Sequence, residues 1–187
     1  MGTANIPNKE SIVLRLWVMI LALIVLGSCQ MPLVDRISVP SRYFIFNAEI
    51  INEDDFEAEL LDIVNAKRQE LGLSTLITDT TLMQVAEAHS VDMATHYYLS
   101  HEDLKGGHAG ERITKGGYKW KYWGEVLAGG AMSPREAFDG WMNSPLHKAV
   151  ILDEAYQEVG IGFATSEENL AHTYYWTVVL AIPKGER

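Results

Sequence analysis

Cysteine is almost absent from this sequence of 187 residues, because Cys29 is the only one. A disulfide framework within the chain and a cysteine-based zinc site are therefore excluded. Proline and basic residues are also scarce: there are six prolines, and 15 Lys and Arg stand against 25 Asp and Glu. The formal charge of −10, with no basic stripe, argues against nucleic acid as a partner. The hydrophobic content of 48% is too high for a disordered chain, so most of the sequence is expected to fold as one domain.

The N-terminal 28 residues have the layout of a secretory signal peptide. Lys9 and Arg15 precede an uninterrupted apolar run from Leu16 to Leu26. Eleven apolar residues span about 16 Å as a helix, against a hydrocarbon core of about 30 Å, so a membrane-spanning helix is the weaker interpretation. We predict a signal peptide over residues 1–28, a tether over 29–52 and a folded domain over 53–184.

The end of the apolar run, Leu26-Gly27-Ser28-Cys29, resembles the bacterial lipobox, whose cysteine receives a lipid and becomes the mature N-terminus. The resemblance implies attachment to a membrane through lipid on Cys29; an ordinary cleavage site and an uncleaved anchor are the alternatives. Removal of residues 1–28 takes away two basic residues and one acidic residue, which leaves 13 against 24. A mature chain with this excess of acidic residues is repelled by anionic lipid headgroups, so membrane attachment has to come from the lipid on Cys29. The expected location is extracytoplasmic, in the cell envelope, either lipid-anchored or secreted.

The first half of the folded domain shows the pattern of two amphipathic helices. Acidic residues after Asn52 and apolar residues at helical spacing predict a helix that ends at Gly72. A second helix is predicted from about Thr78 to His96. The glycine-rich stretch from Leu99 to Trp123 predicts a long loop, with a helical turn around residues 111–115.

The second half shows helix starts followed by strands. Ser133-Pro134-Arg135-Glu136 is a capping box, and Ser144-Pro145 predicts a further short helix with His147 in its first turn. The positive end of that helix is expected to lower the pKa of His147. The runs Val159–Ala164 and Tyr174–Ile182 predict a pair of antiparallel strands. Helices first and a strand hairpin last indicate an α+β fold.

A series of short motifs resembles a known family. The motifs, in order, are Ser100-His101, Gly124-Glu125, Trp141–Lys148, Ile151-Leu152 and Glu158–Gly162, with Asn65 and Arg68 in the first helix. Their order and spacing resemble the bacterial branch of the CAP superfamily, which comprises cysteine-rich secretory proteins, antigen 5 and pathogenesis-related class 1 proteins. The same domain is also called the SCP domain. The resemblance extends from about Phe56 to Ile182.

The resemblance implies both a fold and a site. The fold would be a three-layer α-β-α sandwich of the CAP/SCP type with a mainly antiparallel central sheet. The site would be a surface cleft formed around His101, Glu125 and His147. Ser144 stands where eukaryotic members place a second glutamate, and Glu158 is another candidate acid of the cleft.

Two chemical uses of such a cleft follow from these residue types. If His101, His147 and Glu125 lie close together in the fold, they are suitable ligands for Zn²⁺ or another divalent metal, because they supply two neutral imidazoles and a carboxylate. The same three side chains also form a good hydrogen-bond network, in which Glu125 holds the imidazoles in one tautomer. No other cofactor is expected.

Three functions follow. The first is a lipid-anchored binding or interaction module, non-catalytic by default, that takes a lipid, sterol or cell-envelope ligand. The second is a zinc-dependent hydrolase acting on peptide or cell-envelope substrates. The third is a structural envelope protein whose cleft only stabilises the fold.

Two further groups of side chains have mainly structural roles in this interpretation. His89 lies on the apolar face of the second helix and is predicted to be buried and satisfied. The aromatic residues between Tyr118 and Trp123 are predicted to pack a loop onto the sheet; the alternative is an apolar wall for a ligand beside the cleft.

Overall fold

A computed structural model describes residues 43–46, 49–166 and 172–185, with side chains from Asp55 onward. The predicted signal peptide, Cys29 and most of the predicted tether lie outside the described residues. Within the tether, strands β1 (Tyr43–Phe46) and β2 (Glu49–Asn52) pair antiparallel, and β2 leads directly into the first helix. In the part of the chain that is described, no helix is both long enough and apolar enough to cross a membrane.

In the described part of the chain five helices follow β2, and four of them begin at or close to a start signal in the sequence. The five helices are α1 (Glu53–Glu70), α2 (Thr80–His96), α3 (Ala109–Lys115), α4 (Pro134–Met142) and α5 (Pro145–Ile151). Helix α3 begins without a capping side chain. Asp79 caps α2, because its side chain accepts hydrogen bonds from the backbone N–H groups of Thr81 and Leu82. Ser133 caps α4 by accepting from the N–H of Glu136 at 3.2 Å, which confirms the predicted capping position.

The central sheet has four strands in the order β3, β5, β6, β4. These are β3 (Ile77–Thr78), β4 (Trp120–Gly129), β5 (Glu158–Thr165) and β6 (Tyr174–Pro183). The predicted β5–β6 hairpin is present, with Ile161 opposite Val178. The sheet is mixed, because β3 pairs parallel with β5 while the other two pairings are antiparallel. The two-residue strand β3 lies in the connection between α1 and α2, where the sequence predicted no strand.

Strand β4 corrects the prediction of a continuous loop up to Trp123. The aromatic run is not a loop packed onto the sheet; Trp120 and Trp123 belong to the edge strand itself, and Trp123 pairs with Ala181 of β6. The strand pattern is weak because Gly124 and Glu125 interrupt the apolar run, although both residues are buried in the sheet. Only the pairing with β6 stabilises a strand over this segment.

The sheet lies between two layers of helices, which confirms the predicted α-β-α sandwich. On one face, α1 and α4 pack against side chains such as Val126, Ile161 and Val178. On the other face, α2 packs against Val179 and Ala181. Helix α2 lies very close to β5, because the strand presents only glycine at positions 160 and 162 on that face. A side chain at either glycine would meet the helix backbone.

Buried polar side chains connect α1 to the rest of the domain. Asn65 forms two hydrogen bonds with the backbone of Leu76, at 2.8 and 3.1 Å. Arg68 is fully buried and donates hydrogen bonds to four backbone carbonyls, those of Ser74, Ile151, Asp153 and Tyr156. Because α5 ends at Ile151, the guanidinium also holds the end of the helix that carries His147.

Candidate functional site

The site is formed around Glu125, a carboxylate in the middle of the edge strand β4. Val126 points into the core between the sheet and α1, so its neighbour Glu125 points to the opposite face, toward α2 and α3. The side chain of Glu125 is only 1% exposed. A carboxylate buried to this extent requires charged or hydrogen-bonding partners.

Two residues satisfy the carboxylate of Glu125. Its Oε1 lies 2.8 Å from Nδ1 of His101, and its Oε2 accepts a hydrogen bond from Nη2 of Arg112 at 2.5 Å. Arg112, on α3, also donates from Nη1 to the backbone carbonyls of His101 and Gly107, at 3.0 and 2.9 Å. Arg112 therefore holds both the acid and the loop that carries His101.

The imidazole of His101 is bonded through one ring nitrogen and is otherwise largely exposed. Because a carboxylate only accepts hydrogen bonds, Nδ1 of His101 carries the proton that it shares with Glu125. In the neutral ring, Nε2 then has a free lone pair, and the side chain is 55% exposed. A carboxylate that orients a histidine through one nitrogen and leaves the other free is the usual arrangement behind a metal-binding imidazole.

His147 lies in the first turn of α5, close to His101. Burial is the main cause that lowers its pKa, and the charge of His101 lowers it further. The sequence analysis predicted a lower pKa of His147 from the helix end. In the structure the causes of the lower pKa are burial and the charge of His101. Helix α5 rests against β4 because Gly124 has no side chain; a Cβ atom there would lie 2.9 Å from Cγ1 of Val150.

The other two predicted cleft residues are placed differently. Ser144 occupies the N-cap position of α5, where Ser144-Pro145 predicted a helix start, but its side chain makes no capping hydrogen bond. Glu158 lies at the start of β5 and accepts a hydrogen bond from the hydroxyl of Tyr118. Burial and Glu158 raise the pKa of Tyr118. The structure thus joins His101 to Glu125 by a hydrogen bond and places His147 near enough for the charge of His101 to lower its pKa, with Glu158 engaged elsewhere.

Arg112 is the functional residue that the sequence analysis missed. It stands in the glycine-rich stretch that was predicted to be mostly loop, and no local motif singles it out. The available signal was indirect, since a buried glutamate requires a cation. Both oxygens of Glu125 are occupied by His101 and Arg112. Among the side chains that the structure describes, no group of three or more His, Cys, Asp or Glu is arranged to hold a metal ion.

His89, next to this network, is buried as predicted, but it is not fully satisfied as predicted, because among the described residues only its Nε2 has a hydrogen-bond partner. Its Nε2 lies 2.9 Å from the backbone carbonyl of Ser100, the residue before His101. Burial lowers the pKa of His89, and the positive charge of Arg112 lowers it further. The imidazole of His89 is therefore neutral in the folded protein near neutral pH, because a positive charge beside that of Arg112 is disfavoured.

This shift predicts that the folded state loses stability in mild acid. The unfolded chain binds a proton at His89 below its ordinary pKa of 6.5, and the folded chain does not. The contribution of His89 to the free energy of unfolding is therefore fully present above this pH. It falls as the pH drops toward the lower folded-state pKa, by at most about 1.4 kcal/mol per pH unit for one proton. Urea unfolding of the full-length chain between pH 7.5 and 5 measures the slope.

The matched variants for that experiment are His89→Gln and His96→Gln. His96 is half exposed at the end of α2 and pairs with Asp92 in the preceding turn. We expect His89→Gln to flatten the pH dependence, whatever its effect on stability at pH 7.5, and His96→Gln to preserve it. Equal slopes in all three proteins would contradict the assignment.

The geometry defines an α-β-α sandwich with a His-Glu-Arg network at the edge of its sheet. The sequence profile of the family described as "Cysteine-rich secretory protein family", abbreviated CAP, matches residues 61–180. Because this match covers more than half of the sequence, the chain belongs to the CAP family, which confirms the resemblance of the motifs.

Two proteins of Bacillus subtilis (strain 168) are similar in sequence. YkwD, an uncharacterized protein, is 33% identical over 111 residues, which are 59% of this chain and 43% of YkwD. YlbC, an uncharacterized membrane protein, is 33% identical over 106 residues, which are 57% of this chain and 31% of YlbC. The similarity therefore covers less than half the length of either relative.

Two solved structures have the same fold. An extracellular protein of Bacillus anthracis that contains an SCP domain is 26% identical, with a TM-score of 0.61 over 69% of this chain and 41% of its own. An outer surface protein of Borrelia burgdorferi is 23% identical, with a TM-score of 0.65 over 72% of this chain and 97% of its own. The second similarity concerns the fold alone.

Proposed function

We propose that this protein is an extracytoplasmic, lipid-anchored binding or interaction module whose cleft holds a divalent metal, with zinc as the first candidate. His101 and His147 would be the metal ligands. Glu125 would orient His101 without being a ligand itself, because its side chain is buried and each of its oxygens is already hydrogen-bonded. A metal in this position would supply a positively charged anchor for an acidic or polar group of a ligand.

The observation that carries the metal proposal is the hydrogen bond from His101 to Glu125. It directs the free Nε2 of an exposed imidazole outward, and the ion pair with Arg112 fixes the carboxylate from behind. The lowered pKa of His147 keeps the second imidazole neutral near neutral pH, as metal binding requires. Two imidazoles leave the remaining positions of a metal open to water or ligand.

The location rests on the N-terminal sequence and on the relatives. The signal-peptide pattern and the lipobox-like Leu26-Gly27-Ser28-Cys29 support export and lipidation. The similar protein of Bacillus anthracis is described as extracellular, and the one of Borrelia burgdorferi as an outer surface protein. Two or more acyl chains on Cys29 would give stable anchoring.

An apolar groove beside the network supports a ligand with an apolar part, such as a lipid, a sterol or a cell-envelope fragment. Trp123 is two residues before Glu125 and lies on the same face of β4. Together with Trp120 it lines a groove of about 430 Å³. The rings of these two tryptophans lie edge to face at 6.4 Å, and Trp120 is held by a hydrogen bond to Thr114.

Zinc binding by the full-length chain is the test of this proposal. We expect about one zinc per chain in elemental analysis, and an affinity at least about tenfold weaker in His147→Ala, because one of the two imidazoles is lost. The matched control is His96→Ala, which removes a half-exposed histidine on α2 and is expected to leave the affinity unchanged. Zinc binding that His147→Ala does not weaken, or no stoichiometric zinc at micromolar concentration, would refute the metal site.

The zinc-dependent hydrolase has less support from the same geometry. A general base must be free to accept a proton, and both oxygens of Glu125 are already bound, one of them by an arginine. Turnover of a peptide or cell-envelope substrate that is abolished by a chelator and by His147→Ala would favour the hydrolase over the binding module.

A further inference from the structure

Strand β4 lies at one edge of the sheet and pairs with β6 on one side. In an antiparallel pair, alternate residues exchange hydrogen bonds with the partner strand, and the residues between them direct their N–H and C=O groups away from it. The N–H of Gly130, directly after β4, donates to the carbonyl of Tyr174 at 2.8 Å, which fixes this alternation. The even-numbered residues from 122 onward therefore bond to β6, whereas the backbone groups of Trp123 and Glu125 point outward from the sheet.

One end of this outward edge is covered by protein, and the other is accessible. The carbonyl of Leu127 accepts a hydrogen bond from Nε1 of Trp141 in α4, at 2.9 Å. In the part of the chain that the structure describes, the outward N–H and C=O groups of Trp123 and Glu125 have no hydrogen-bond partner. Glu125 is 7% exposed as a whole residue, whereas its side chain is 1% exposed. Most of the surface that solvent reaches at Glu125 is therefore backbone.

The accessible edge lies between the elements that carry the two histidines of the cleft. The side chain of Glu125 reaches His101 on one face of the sheet. Gly124 faces the opposite side, where a Cβ atom would lie 2.9 Å from Cγ1 of Val150 in α5, the helix of His147. The outward edge of β4 thus runs between the loop of His101 and helix α5, where the proposed binding cleft lies.

We propose that this edge binds a peptide in extended conformation, which adds to the four-stranded sheet beside β4. An extended peptide directs the N–H and C=O groups of every second residue to the same side, about 6.8 Å apart, and so matches Trp123 and Glu125. The hydroxyl groups of a glycan do not repeat with this spacing, and an acyl chain carries no hydrogen-bond donor. The ligand is therefore a polypeptide segment that is recognised mainly through its backbone.

The peptide residue opposite Trp123 is expected to carry a large apolar side chain. Residues that pair across a sheet place their side chains on the same face, so this side chain lies on the face of Trp123. That face carries the groove of about 430 Å³ that Trp120 and Trp123 line. The backbone of β4 thus supplies affinity for any extended peptide, and the groove selects one of its side chains.

This inference rests on the proposed binding module and names a peptide as its ligand, but it does not depend on the metal. The contacts are made by backbone groups of β4, so peptide binding is expected to persist in the presence of a chelator. Zinc binding without peptide binding would overturn this inference alone. Peptide binding at the edge without zinc would overturn the metal site alone.

A random library of short linear displayed peptides, selected against the full-length chain, supplies the probe. We expect the selected sequences to share a large apolar residue, and the tightest binder is then synthesised with one backbone N–H methylated at a time. Methylation of every second residue in its central segment is expected to weaken binding at least about tenfold, and methylation of the residues between them by less than about threefold. Affinities without this alternation would overturn the proposal, and so would a library that yields no binder.

Amide hydrogen exchange, resolved by residue with nuclear magnetic resonance, locates the bound peptide. The N–H groups of Trp123 and Glu125 are expected to exchange at least about tenfold more slowly with the peptide bound, because they gain hydrogen bonds. The matched control is Thr78 in β3, at the opposite edge of the sheet. Its neighbours Ile77 and Asp79 donate to β5, so the N–H of Thr78 also points outward, and its exchange is expected to be unchanged. Equal slowing at both edges, or no slowing at Trp123 and Glu125, would refute the assignment to β4.

Discussion

Replacement of Gly160 by alanine is expected to unfold the domain or to destabilise it by more than about 3 kcal/mol. A Cβ atom at this position would lie 2.5 Å from the backbone nitrogen of Met83 in α2, and closer still to the carbonyl group of Leu82. The obstacle is helix backbone, which cannot rotate away as a side chain can. Helix α2 would have to move off β5 along its length. The measurement is the urea midpoint of the full-length chain, with circular dichroism to detect loss of fold.

The matched control is Gly140→Ala in α4. A Cβ atom at Gly140 meets nothing within 4 Å, and alanine is the better helix former, so a gain of about 0.5–1 kcal/mol is expected. The two substitutions add the same methyl group and are expected to have opposite effects. A Gly160→Ala protein within about 0.5 kcal/mol of the original would show that α2 and β5 do not depend on this close contact.

Arg68→Met is expected to cost about 3–5 kcal/mol of the free energy of unfolding. Methionine has a similar length but donates no hydrogen bond, so four backbone carbonyls lose a donor, two of them in buried hydrogen bonds, those of Ile151 and Tyr156. Two of these carbonyls, those of Ile151 and Asp153, belong to the end of α5 and the turn after it. The loss is therefore expected to loosen the helix that carries His147 as well as to weaken the fold. Urea unfolding measures the loss of stability of the fold, and zinc affinity measures the effect on the helix that carries His147.

The control for the loss of an arginine is Arg135→Met. Arg135 is 60% exposed and lies 3.6 Å from Asp139 on the surface of α4. An exposed pair of this kind contributes little, so a change within about 0.5 kcal/mol is expected. A loss in Arg68→Met as small as the one expected for Arg135→Met would mean that the four carbonyls are satisfied equally well without Arg68.

The elements predicted correctly from the sequence are those whose signals are local. Ser133 caps its helix as expected, and Asp79 caps α2 close to the predicted start of that helix, because a cap acts on backbone groups two or three residues away. Strands β5 and β6 form continuous β-branched and aromatic runs, and their antiparallel pairing follows from the short connection between them. Gly72 adopts a positive φ of 74° after α1, consistent with the predicted end of that helix.

The elements that were missed depend on distant parts of the chain. Strand β4 exists because β6 pairs with it, although Gly124 and Glu125 weaken its local signal. The short parallel strand β3 follows from its position beside β5. The partner of Glu125 could not be identified either, because Arg112 is 13 residues away on a different element and reaches Glu125 only in the folded domain.

The sequence by itself determined the helices, the terminal hairpin, the α+β class and, through the order of short motifs, the family. It also determined which histidines and which glutamate to examine. Only the tertiary structure decided how they are used: Glu125 is held by Arg112 and orients His101, Glu158 is turned toward Tyr118, and His89 retains an unpaired nitrogen. The physical reason is that helix and turn signals act over a few residues, whereas the pairing of a buried charge or polar atom depends on side chains that only folding brings together.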